Sequence, residues 1–171
     1  MLNWKRINEL SITKRLRFGK NSVMTVENKD GTTSTVSTGE LAKLDAASQV
    51  TILTAASTLT TEQSGATLVL NSATEFATTL PAPSLGLRYK FIVSAAPVGA
   101  SYTVVTDSGD NLIDGSATVA GLVVAAANED TITFTASAAL SGDWVEVVSD
   151  GTNWFVSGQA TASTGVAFTA T

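Results

Sequence analysis

The sequence predicts an all-β fold, an antiparallel β-sandwich or barrel of jelly-roll-like type, preceded by an extended N-terminal arm with a short helix. Three observations carry this expectation. From about residue 50 short alternating apolar runs recur, and "TITFT" at 131–135 is the cleanest, with Ile132 and Phe134 on one face and three threonines on the other. Turn formers lie between the runs, in "NS" at 71, "PAPSLG" at 81, "DSGDN" at 107, "NED" at 128 and "DG" at 150. Charge is also segregated along the chain. Residues 1–29 hold seven Lys and Arg against two Glu, whereas residues 45–171 hold only Arg88 and Lys90 against eleven carboxylates. The chain is patterned as a basic arm on an acidic body.

The arm is expected to cover residues 1–37. Trp4, Ile7 and Leu10 recur at helical spacing, and Ile12, Leu16 and Phe18 then fall on alternate positions around Lys14. "GKNS" turns that strand into "VMTVE" at 23–27. So little apolar surface cannot form a core alone, so the arm is expected to order against a partner. Lys5, Arg6, Lys14, Arg15 and Arg17 are interleaved with the apolar positions, a pattern that suits an acidic protein surface. Clustered basic residues also bind nucleic acid phosphates, but no nucleic-acid-binding motif accompanies them, and a protein partner is the expectation. A neck follows at 38–49, where Ser37 and Glu40 match a capping box that leads into Leu41 and Leu44 and predicts a short helix. Residues 50–171 form the β-domain.

Composition narrows the function. The 171 residues include no Cys and no His, which removes the usual zinc sites and the Ser-His-Asp and Cys-His relays. No catalytic residue, cofactor or metal is therefore expected. Hydrophobic residues make up 44% and charged residues 15% of the chain, so it is too apolar for disorder, yet no apolar run approaches the length of a membrane span. The N-terminus lacks the apolar stretch and cleavage site of a secretory signal.

The most informative stretch is "GDWVEVVSDGTNWFVSG" at 142–158. With Asp150-Gly151 as a two-residue hairpin loop, Val147 faces Trp154 and Val145 faces Val156. One face then carries Val145, Val147, Trp154 and Val156 and is predicted to be core. The other carries Trp144, Glu146, Val148, Asn153, Phe155 and Ser157. That mixture suits a contact between subunits, with Trp144, Val148 and Phe155 as its candidates.

Together "SGATLVLNSATEFATTLPAPSLGLRYKFIV", "GDNLIDGSATVAG", "EDTITFTAS" and the hairpin resemble a β-rich domain common in structural proteins of tailed bacteriophages, including head decoration proteins and fibres. "TGELAKLDAAS" is similar to the "ELxxLDG" stretch that often precedes such domains, with Ala46 in place of the usual glycine. The resemblance covers roughly residues 38–158 and implies a homotrimeric structural protein of the virion. An arm, a neck and one domain are similar to a capsid decoration or cement protein on the outer surface of the shell, with the major capsid protein and further copies of itself as partners. No small-molecule substrate, nucleic acid or membrane partner is expected. The alternative is a tail-fibre or receptor-binding component that recognises host glycans through Trp144, Trp154 or the domain's loops. Asp107, Asp110, Asn111 and Asp114 offer oxygen ligands for calcium, although the same residue types serve any strand connection.

Overall fold

The computed structural model describes residues 23–27, 32–37, 50–72 and 74–170. The chain divides into two units, Met1–Leu41 and Ala42–Thr171. The expected arm contacts, Trp4, Lys5, Arg6, Ile7, Leu10, Lys14, Arg15, Leu16, Arg17 and Phe18, and the expected helix of residues 38–49 lie outside the described residues.

In the first unit, β1 (Val23–Glu27) pairs antiparallel with β2 (Thr33–Ser37), in register from Val23 opposite Ser37 to Glu27 opposite Thr33. Among the described residues, "VMTVE" is therefore paired with "TSTVS". Three of its five residues are the β-branched Thr33, Thr35 and Val36, which favour a pleated chain over a helix.

In the second unit the strands are β3 (Val50–Leu53), β4 (Ser57–Thr58), β5 (Thr67–Leu70), β6 (Ala77–Thr79), β7 (Arg88–Val93), β8 (Tyr102–Val105), β9 (Ile113–Val119), β10 (Leu122–Glu129), β11 (Thr131–Phe134), β12 (Trp144–Ser149), β13 (Trp154–Ala160) and β14 (Val166–Thr169). They form two packed sheets, ordered β10-β9-β13-β12-β7-β5-β3 and β14-β11-β8-β6-β4. The fold is an all-β sandwich.

The expected antiparallel order holds only in part. β3 pairs parallel with β5 and β5 with β7, while β4 pairs parallel with β6 and β6 with β8. The cause is the path of the chain. From β3 to β8 successive strands alternate between the sheets, so each strand crosses to the opposite layer and the next returns in the original direction. Two parallel half-sheets are laid down as a coil. From β9 onward hairpins take over, with β9–β10 and β12–β13 both antiparallel. β13 then closes onto β9 in parallel. The run "ATVAGLVVAA" is a hairpin that turns at Ala120 and Gly121, both at positive φ.

Alternation then decides the core. Leu68, Leu70, Tyr89, Phe91, Val93, Val145 and Val147 face inward from the larger sheet, and Tyr102, Val104, Ile132, Phe134 and Val166 from the smaller. Burial of such apolar surface is the main favourable term in folding. The polar ends of the aromatics are satisfied locally. Tyr89 donates its hydroxyl to the Thr60 carbonyl, and the Tyr102 hydroxyl accepts from Ser72 N and lies within hydrogen-bond distance of the Ser72 and Ala95 carbonyls.

Candidate functional site

The hairpin β12–β13 sits near the middle of the larger sheet, between β7 and β9. Its register is Ser149 opposite Trp154, Val147 opposite Val156 and Val145 opposite Gly158. The expected two-residue loop is instead four residues, 150–153. The Asp150 carboxylate accepts from Thr152 N and Asn153 N, both at 2.8 Å. Asp150 N donates to the Asn153 carbonyl, and Gly151 takes φ +102°. An Asp that binds the backbone two and three residues on competes with the tighter turn and here prevails. These hydrogen bonds, Asn153 foremost, hold the Asp150 carboxyl below its ordinary range.

The pairing is thereby displaced by two residues, and a two-residue displacement leaves every side chain on its face. Val145, Val147 and Trp154 have no exposed surface, and Val156 is buried. A fully enclosed Trp154 cannot stack on a glycan, which removes it from the receptor-binding alternative. Its ring packs at a tilt on Tyr89, with centroids 5.8 Å apart. Burial, and then the charge of Glu62, push the Tyr89 hydroxyl up to about 12.

On the outer face Trp144 is half-buried, Val148 is 41% exposed and Phe155 46% exposed. Val148 and Phe155 are cross-strand partners, so they make one apolar patch, and Arg88 on β7 lies next to Val148 in the same row. The following row sets Glu146 opposite Lys90, and Lys90 opposite Thr67 on β5. Arg88 forms an ion pair with Glu146. The Lys90 ammonium lies 4.6 Å from the centroid of the Trp144 ring, in cation–π geometry. A hollow of about 380 Å³ opens here, lined by Gly65, Ala66, Thr67, Arg88, Lys90 and Glu146 among others. Sequence reasoning counted Arg88 and Lys90 as the two cations of the body without placing them in a site. The signal was present, because positions two apart in "RYKFIV" share one face of a strand.

The other sequence candidates are not brought together. Asp143 is buried, with its carboxylate accepting from Leu140 N and Thr161 N, so it ties two loops. In the 107–114 loop the Asp114 carboxylate accepts from Asn128 N, Asp110 N donates to the Ser108 hydroxyl, and Thr106 donates to the Asp110 carbonyl. Among the described residues no group of three or more acidic side chains is placed to hold a metal ion, and no helix is long and apolar enough to cross a membrane.

Comparison of the chain with protein-family models and with curated proteins finds no match.

Proposed function

We propose that this chain is a structural virion protein that decorates and stabilises a bacteriophage capsid. The basic N-terminal arm binds the major capsid protein, and the β-sandwich binds other copies of itself to form a homotrimer. The observation that carries this reading is the segregation of charge. Seven of the chain's ten Lys and Arg precede residue 30, while the body from residue 45 holds eleven of its fifteen carboxylates. A cationic arm with apolar residues at regular spacing suits an acidic shell surface, and a strongly acidic body stays soluble and repels non-specific neighbours. The resemblance to phage decoration domains supports the same reading, as does the exposed Val148–Phe155 pair, an apolar patch of the kind found at subunit contacts. Three arms on one trimer multiply weak individual contacts into tight attachment.

The test is removal of residues 1–20. The truncated chain is expected to lose attachment to capsids in a sedimentation assay while its β-domain unfolds at an unchanged temperature. Attachment that survives the truncation overturns the anchoring role.

A further inference from the structure

We propose that the hollow between β5, β7 and β12 binds a carboxylated sugar, such as a uronic acid unit of an acidic polysaccharide. The site is independent of the capsid reading, since the described residues that line it all belong to the sandwich.

Charge is the first ground. The body carries eleven carboxylates from residue 45 onward against two cations, and both cations line this one hollow. Among the described residues of the sandwich Arg88 and Lys90 are the two cations, so an anion repelled by the carboxylates is attracted where these two reverse the local field. The second ground is shape. The volume of about 380 Å³ falls in the range of small-ligand pockets. Gly65 and Ala66 contribute almost no side-chain bulk to the lining and so leave room for a ring.

The third ground is how the charges are disposed. A pair of cations placed only to stabilise the sheet would both engage Glu146, the residue directly across from Lys90. Arg88 does so, but the Lys90 ammonium lies over Trp144 and makes no ion pair among the described residues. Arg88 remains 60% exposed and keeps N–H donors beyond those on Glu146. Two cations and one carboxylate leave a single positive charge for a ligand. That balance matches a monoanion, whereas a dianionic phosphate would face the repulsion of Glu146. The Glu146 carboxylate, which only accepts hydrogen bonds, and the Thr67 hydroxyl then suit the hydroxyl groups of a sugar. A carboxylate and neighbouring hydroxyls on one ring satisfy all of these groups together.

The experiment is an amide NMR titration of the full chain with sodium glucuronate, run in parallel with glucose and with sodium acetate. Saturable shifts at Gly65, Thr67 and Lys90 are expected with glucuronate, at an affinity at least about tenfold above either control. The Arg88→Gln, Lys90→Gln double variant is expected to weaken binding by about tenfold or more, as loss of charge-assisted hydrogen bonds requires. Its melting temperature checks the fold, and Lys90→Gln alone serves if the double variant unfolds. Glu146→Gln is expected to narrow the preference for glucuronate over acetate. The proposal is overturned if acetate or glucose binds as well as glucuronate, or if the variants bind unchanged. It is also overturned if the same amides shift with protein concentration alone, which would assign the hollow to an acidic side chain of a second copy.

Discussion

Trp154 and Phe155 are adjacent in sequence, yet one has no exposed surface and the other is 46% exposed. Strand alternation alone produces this difference. Trp154 is the largest of the fully buried side chains, and its indole N–H finds no acceptor among the described residues. Two opposed terms follow. Loss of the ring opens a cavity against Tyr89, and loss of the N–H removes an unpaired buried donor that costs about 1–3 kcal/mol. Trp154→Ala is expected to destabilise the domain by about 3–5 kcal/mol in denaturant unfolding. Trp154→Phe keeps most of the packing and discards the unpaired donor, so it is expected to cost far less than the alanine variant. Equal losses for the two would show that the indole makes a hydrogen bond the structure lacks. No loss in either would place the side chain at the surface.

At the scale of elements, Gly115 shows what holds the larger sheet closed. It stands on β9 opposite Val156 of β13, where the two strands pair in parallel, and it takes φ +132°. A Cβ there would lie 2.2 Å from the Val156 carbonyl oxygen. Strained backbone and contact with a rigid main chain act together, so Gly115→Ala is expected to cost about 2–4 kcal/mol in thermal or denaturant unfolding. An unchanged midpoint would mean that β9 and β13 are not paired this closely. No local pattern announces this contact, because "IDGSATV" reads as an ordinary strand and its neighbour lies some forty residues away. The hairpin was far more legible. Its faces could be read from period-two alternation, and they survived an error of two residues in register because the period is two. The register itself depended on whether Asp150 would bind its own backbone, which a dipeptide preference does not encode. The hollow was half legible in the same way. "RYK" places two cations on one strand face, but that Glu146 and the 65–67 segment would border them depends on pairings among β5, β7 and β12 that only the fold supplies.

At the scale of the whole molecule, the path of the chain sets what can fold alone. The core joins residues from Leu53 to Val166, and the coil of β3 to β8 is joined to the later hairpins where β7 pairs with β12 and β8 with β11. No part of the sandwich can be removed without exposing this shared core. Among the described residues, every member of this core belongs to the second unit, Ala42–Thr171. A chain reduced to residues 42–171 is therefore expected to fold, to unfold in a single cooperative transition, and to match the full chain in midpoint and in the steepness of its denaturant dependence. Steepness reports the surface exposed on unfolding, so the comparison separates two outcomes. An equal slope with an equal midpoint shows that the sandwich is self-sufficient. A markedly lower midpoint shows that the first unit contributes to the stability of the second, in which case failure of a truncated chain to bind capsids could no longer be assigned to the arm's own contacts.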